Sequence, residues 1–126
     1  MLAQKHGHLV GVTSIAGKRA LPQSGAYSAS KAALSTFLET LRLDLSPAGI
    51  DVTDVQPGFV ATPINAHSKR PMPFLWQVDK AARVIVNRLE RAPAVVSFPW
   101  PLVVTTSFLR GLPAWVYDRL LRTARG

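Results

Sequence analysis

The sequence predicts an α/β domain built on a parallel sheet, and three observations carry that prediction. Short apolar runs rich in β-branched residues read as strands at residues 8–14, 50–56 and 94–98. Between the first two lies a long segment of helical spacing, residues 25–45, and between the last two a shorter one, residues 79–91. Strand, helix, strand, helix, strand is the alternation of parallel strands joined by crossover helices. A chain of 126 residues with 48% hydrophobic content suits one such domain and leaves no room for two.

Each element has its own warrant. Residues 1–5 read as the last turn of a helix, because Lys5 and His6 suit the negative helix end and Gly7 suits a left-handed stop. Residues 15–24 hold Gly17 and Pro22 and form a loop. The helix over 25–45 is assigned an apolar face of Ala26, Ala29, Ala33, Phe37 and Leu41, and Ser46-Pro47-Ala48-Gly49 closes it. Pro57-Gly58 ends the second strand, and Thr62-Pro63 opens an irregular region that runs to Gln77. Asp79 caps or begins the next helix, whose Ala81, Ala82, Ile85, Val86 and Leu89 share a side. After Pro99-Trp100-Pro101 come a helix over 102–110 and another over 113–124, the latter with Leu112, Val116, Tyr117, Leu120, Leu121 and Ala124 on one arc and Asp118, Arg119, Arg122 and Arg125 on the other. Residues 1–98 thus form the α/β unit, and 99–126 an amphipathic helical tail of the same domain.

Composition excludes several classes. Without cysteine there is neither a disulfide framework nor a thiolate metal site, and His6, His8 and His67 lack ligand spacing, so no metal is expected. The uncharged stretch from Ala92 to Leu109 is interrupted by Pro93, Pro99 and Pro101, each of which would remove a helical hydrogen bond in lipid. The apolar run from Leu9 to Val12 is too short for a signal-peptide core. Acid-free residues 1–38, with Lys5, Lys18, Arg19 and several Ser, superficially suggest a transit peptide, but what they spell argues otherwise. The net charge of +8 is dispersed and no nucleic-acid reader motif accompanies it, so nucleic acid is not expected as a partner.

The chemistry lies in Tyr27-Ser28-Ala29-Ser30-Lys31. It sets a phenol and an ammonium four positions apart on a helix, about 6 Å along the axis and on the same face. A nearby positive charge favours the ionised phenol, which eases proton donation to a forming alkoxide and its reversal. Ser14, thirteen residues before Tyr27 at the end of the first predicted strand, is placed to hydrogen-bond the same oxygen. Taken alone, Tyr27 and Lys31 read as an ordinary amphipathic pair, Pro57-Gly58 as a plain turn and Ser14 as a capping residue. Their common location near strand carboxyl ends gives the set its force, since open α/β sheets bind ligands there. Asp54 stands inside an apolar strand and needs a partner that the sequence does not name.

With GHLVGVTSIAG, YSASKAAL and GIDVTDVQPGFVAT in this order, the chain resembles the C-terminal half of the short-chain dehydrogenase/reductase family over about residues 7–98. That resemblance implies a partial doubly wound, Rossmann-type sheet and an NAD- or NADP-dependent oxidoreductase acting on an alcohol or carbonyl. It implies Tyr27 as acid/base, Lys31 as its electrostatic partner and holder of the nicotinamide ribose, and Ser14 as the residue that orients the substrate. It also sets Pro57, Gly58, Val60 and Thr62 against the nicotinamide, Val60 through its backbone and Thr62 through its side chain. Gly58 in this reading lets the backbone approach the ring.

The sequence departs from the family in lacking a glycine-rich turn for the pyrophosphate, the NAD-or-NADP selector and the Asn of the proton relay. The intact family fold would be about twice this length, so Met1 is read as an internal methionine of a longer frame or the start of a truncated product. A catalytically incomplete remnant shares every motif with the enzyme. A second alternative is a membrane-surface module, motivated by Trp100, Phe108 and Trp115 with Arg110, Arg119, Arg122 and Arg125; the same residues also suit a substrate lid. Phe98, Trp100, Trp115 and Tyr117 favour a hydrophobic small-molecule substrate over a sugar. By resemblance the intact protein is expected to be a cytoplasmic homo-oligomer, with peripheral membrane contact left open.

Overall fold

The computed structural model describes residues 1–68 and 71–123. Three strands, β1 (Gly7–Val12), β2 (Ile50–Pro57) and β3 (Val95–Phe98), lie in the order β1-β2-β3, all parallel, with Gly7 opposite Ile50 and Asp54 opposite Val95. The chain crosses from β1 to β2 through α1 (Gly25–Leu45) and from β2 to β3 through α2 (Val78–Leu89). Successive side chains of a strand point to opposite faces, so β2 serves both helices. Asp54 meets Ser35 of α1, while Val55 packs with Ala81 of α2, Val96 and Phe98. Val55 and Val96 are fully buried, and each such side chain contributes about 1.5–3 kcal/mol. Trp76 closes this core by stacking on Phe98 at 5.0 Å between ring centres.

The predicted strands and helices are present, with several ends displaced. The chain opens in a 3₁₀ turn, Leu2–Gln4, whose left-handed stop is Lys5 at φ 49°; Gly7 is already in β1. The first strand ends at Val12, before Ser14, and the second runs through Pro57. The helix expected over 79–91 starts at Val78 with Gln77 as N-cap, and Asp79 lies in its first turn. Of its assigned face Ala81, Ile85 and Leu89 pack inward, but Ala82 and Val86 are exposed and Val84 takes their part.

The larger difference concerns α1. Ala26, Ala29, Ala33 and Phe37 point to solvent, whereas Ser28 and Leu38 are buried and Ala32, Ser35 and Leu41 are half-buried. Ser35 turns inward because Asp54 on β2 offers its hydroxyl an acceptor, which outweighs the weak pull of alanine methyls, whereas the buried Ser28 hydroxyl has no hydrogen-bond partner among the described residues.

The tail forms α3 (Trp100–Gly111) and α4 (Ala114–Thr123). On α4 Tyr117 is buried, Val116 and Leu121 are half-buried, and Leu120 is half-exposed; Ala124 and Arg125 lie outside the described residues. The Tyr117 hydroxyl donates to the Ala20 carbonyl, and the Arg19 guanidinium lies 4.4 Å from the centre of its ring. These contacts fix α4 to the loop after β1.

Candidate active site

The carboxyl ends of the parallel strands converge on one edge of the sheet, and the candidate residues gather there. Just past β1, Thr13 continues the pairing, its N–H bonded to the Val55 carbonyl at 2.8 Å. Ser14 then leaves the strand and caps a 3₁₀ turn, Ile15–Gly17, its Oγ accepting from the Ala16 N–H at 3.1 Å and donating to the Pro57 carbonyl at 3.4 Å. The capping role open to Ser14 in the sequence is therefore realised, beside the end of β2.

Gly17 brings this turn against α1. A Cβ at Gly17 would lie 2.9 Å from the Ala32 nitrogen and 3.0 Å from the Lys31 carbonyl carbon, so only glycine allows the approach. Directly at that contact the Lys31 ammonium reaches back and donates to the Val12 carbonyl at 3.1 Å. Its Nζ lies 5.8 Å from the centre of the Tyr27 ring. The two side chains thus share a helical face as their spacing predicts. Tyr27 is half-exposed, and among the described residues no hydrogen bond joins its hydroxyl to Ser14.

The loop after β2 is organised by a residue the sequence reading passed over. Asn65 Oδ1 accepts from the Thr62 N–H at 3.0 Å and from the Thr62 hydroxyl at 3.2 Å, while its Nδ2 donates to the Val60 carbonyl at 2.8 Å. The available signal was Thr62-x-x-Asn65, a capping-box spacing ahead of a short turn. Backbone bonds from Ala61 N to Trp76 O and from Trp76 N to Phe59 O, both 2.9 Å, tie the loop to the segment before α2.

Gly58 has a packing role of its own within the chain. A Cβ there would lie 2.9 Å from Pro99 Cδ and 3.1 Å from Leu102 Cδ1. Its missing side chain makes room for the start of the tail, which accounts for the glycine without a ligand ring. The apolar residues assigned to substrate divide likewise: Phe98 and Tyr117 are spent in the core, while Trp100 and Trp115 remain exposed.

Asp54 finds its partners across the fold. Its Oδ1 accepts from Thr13 Oγ1 at 2.6 Å, and its Oδ2 from Ser35 Oγ and from Gln56 Nε2, the latter at 2.7 Å. Ser97 Oγ completes the chain by donating to Gln56 Oε1 at 2.9 Å. Above Asp54 a cleft of about 260 Å³ is lined by Lys18, Glu39, Arg42 and Arg110. Burial and the Arg110 guanidinium push the Lys18 ammonium below its usual range, against the pull of the Asp54 carboxylate. Among the described residues there is no His, Asp or Glu grouping fit for a metal, and no helix is long and apolar enough to cross a membrane.

Comparison with known proteins agrees with this fold. Residues 1–72 match the short chain dehydrogenase family. An uncharacterized oxidoreductase of Myxococcus xanthus is 46% identical over 125 residues, 99% of this chain and 49% of that protein. The dehydrogenase/reductase SDR family member 7B of Xenopus tropicalis is 41% identical over 68 residues, 54% of this chain and 22% of that protein. Among solved structures, a short chain dehydrogenase from Burkholderia cenocepacia in complex with NADP superposes with a TM-score of 0.78 at 28% identity, covering 95% of this chain and 49% of that one. A short-chain dehydrogenase from Sphingobium yanoikuyae in complex with NADPH gives 0.68 at 25% identity, covering 99% and 46%. The chain spans about half the length of the Myxococcus protein and of these two structures, or less. With a parallel three-stranded α/β sheet, a family match over more than half its residues and these relatives, the chain belongs to the short-chain dehydrogenase family.

Proposed function

We propose that this chain is the catalytic, C-terminal half of an NAD- or NADP-dependent oxidoreductase that interconverts an alcohol and a carbonyl. The observation that carries the reading is the Lys31 ammonium, anchored on the Val12 carbonyl at the end of β1 and facing the Tyr27 ring, with Ser14 on the neighbouring Pro57 carbonyl. In reduction Tyr27 gives its phenolic proton to the oxygen of the forming alkoxide, and in oxidation it takes that proton back. Lys31 offsets the charge left on the phenolate. Ser14 donates a hydrogen bond to the same oxygen, where negative charge develops.

The nicotinamide cofactor supplies or accepts the hydride when bound. The residues present suit its nicotinamide end. Lys31 has donors left for the ribose, Pro57 and Gly58 would lie against the nicotinamide ring, Thr62 brings a hydroxyl, and with the Val60 carbonyl already bonded to Asn65 it is the Val60 N–H that would serve an amide oxygen. Donors for the pyrophosphate belong to a glycine-rich turn that this sequence does not contain. Residues 1–98 form the catalytic unit and 99–126 the tail that lids an apolar substrate; the intact enzyme is a cytoplasmic homo-oligomer.

The test supplies the other half by fusing this chain behind the portion of the Myxococcus xanthus oxidoreductase that it does not match. The fusion is expected to oxidise NADH or NADPH with an apolar ketone such as cyclohexanone as probe. The chain alone is expected to give no saturable binding of either cofactor in a fluorescence titration, because pyrophosphate and adenosine contacts supply much of a dinucleotide's anchoring. Micromolar binding by the chain alone would overturn the division of labour between halves.

The tail supports a second reading. Trp100, Val104 and Phe108, spaced by four on α3, and Trp115 on α4 are exposed at 76%, 59%, 67% and 71%, and Arg119 and Arg122 flank Trp115. Such a face suits an anionic lipid surface. Cosedimentation with phosphatidylserine vesicles, lost on deleting residues 99–126, would favour it.

A further inference from the structure

We propose that Asp54 is a positioning residue, whose buried carboxylate locks the strand end that carries Ser14 to the helix that carries Tyr27 and Lys31. The inference rests on the proposed function and deepens it. Each hydrogen bond to Asp54 comes from a segment that bears one part of the site. Thr13, bonded to Oδ1, immediately precedes Ser14; Ser35, bonded to Oδ2, lies one helical turn beyond Lys31; Gln56, also on Oδ2, immediately precedes Pro57, whose carbonyl receives the Ser14 hydroxyl. One side chain, 3% exposed, therefore ties together the end of β1, the middle of α1 and the end of β2.

Burying a carboxylate is costly unless its oxygens are satisfied, and the three donors satisfy both. A pair of apolar residues would pack these elements with less desolvation, but without fixed distances, because apolar contacts are not directional. Hydrogen bonds with defined lengths set the axial position of α1 against β1, and that position decides where Tyr27 and Lys31 stand relative to Ser14. Misplacement of a reacting group by about 1 Å can cost on the order of 100-fold in rate.

The network also predicts its own rescue. Thr13 is a hydroxyl donor, and Ser35 and Gln56 can each donate or accept. Asn at position 54 can keep its oxygen on Thr13 and donate its amide to Ser35 and to a flipped Gln56, whose amide then donates to Ser97. Asp54→Asn preserves the geometry without the charge, whereas Asp54→Leu removes every acceptor at similar volume. Thr13→Val, nearly isosteric, removes the donor to Oδ1 beside Ser14 and with it the longer contact of the same hydroxyl to the Val55 carbonyl at 3.4 Å.

Two measurements on these variants decide the matter. Hydrogen exchange of the fused protein reads the amides of Ala16 and Gly17, which bond to Ser14 Oγ and to its carbonyl. In Asp54→Leu and Thr13→Val these amides are expected to exchange at least about 10-fold faster while β3 and α2 keep their protection, with Asp54→Asn close to the parent. In the fused enzyme, kcat is expected to fall about 10- to 100-fold in Asp54→Leu and less in Thr13→Val, with cofactor KM within about 3-fold, and to return within about 3-fold of the parent in Asp54→Asn. Unchanged exchange at residues 16 and 17, a uniform rise across the whole sheet, or an Asn variant as impaired as the Leu variant would each overturn the assignment. If Asp54→Leu does not fold, Thr13→Val carries the test. A fusion that reduces no carbonyl with any residue at position 54 would count against the proposed function, while exchange would still decide the clamp.

Discussion

Replacing Tyr27 by Phe in the fused enzyme is expected to lower turnover by at least about 100-fold, the usual weight of a positioned general acid or base. The substitution keeps the ring, and with it the approach of the Lys31 ammonium to the ring face at 5.8 Å, so it removes the transferable proton and little else. Because Tyr27 is half-exposed and among the described residues makes no side-chain hydrogen bond, the fold loses nothing measurable. Melting temperature should hold while kcat collapses, and cofactor KM should change little because the phenol acts on the substrate oxygen. Lys31→Met is the companion: it loses the charge beside the phenol and the bond to the Val12 carbonyl, and should cost turnover and some local order together. Steady-state kinetics with NADH and NADPH checks both. A Tyr27→Phe enzyme with near-normal kcat would remove Tyr27 from the mechanism.

What could be read from the sequence, and what could not, follows from the range of each interaction. The strands were legible because apolar runs of β-branched residues are local signals, and Tyr27 and Lys31 because helix geometry alone sets i and i+4 on one face. The buried face of α1 was not. Over residues 25–36, which carry Tyr27, Lys31 and Ser35, eight of twelve residues are Ala, Ser or Thr, so hydrophobicity differs little around that half of the helix, and its orientation is decided by Asp54, nineteen residues past Ser35 and forty-one past Thr13. A carboxylate inside an apolar strand did announce that partners must exist; only the tertiary structure brings Thr13, Ser35 and Gln56 to it. The packing reason for Gly58 was hidden for the same reason, since the atoms that crowd a side chain there belong to Pro99 and Leu102. The Thr62 loop was legible in its location but not in its internal bonding, where Asn65 takes the Val60 carbonyl.

By itself the chain is expected to self-associate, and the reason is the neighbours its surfaces call for. Among the described residues β1 pairs only with β2, so its other edge presents unpaired N–H and C=O groups as far as the Val12 carbonyl, which the Lys31 ammonium takes. Neither proline nor an inward charge guards that edge, and such an edge is a template for pairing with another chain. Its outer face adds to the hazard, for Val10 and Val12 are exposed at 39% and 54% on the side opposite α1. On α1 itself Ala26, Ala29, Ala33 and Phe37 form a second apolar strip open to water, and contiguous apolar surface of this kind drives association. The net charge of +8 opposes contact, but about 8–10 Å of screening length at physiological salt confines that repulsion to close range. Apolar burial and strand pairing should therefore prevail, giving dimers or larger species in size-exclusion chromatography with light scattering. Co-expression with the unmatched portion of the Myxococcus xanthus relative should cover both surfaces and convert the chain into a compact, cooperatively melting complex. A sharply monomeric chain with a cooperative melt of its own would mean that the β1 edge is closed by the chain itself, and the argument from the open edge would fail.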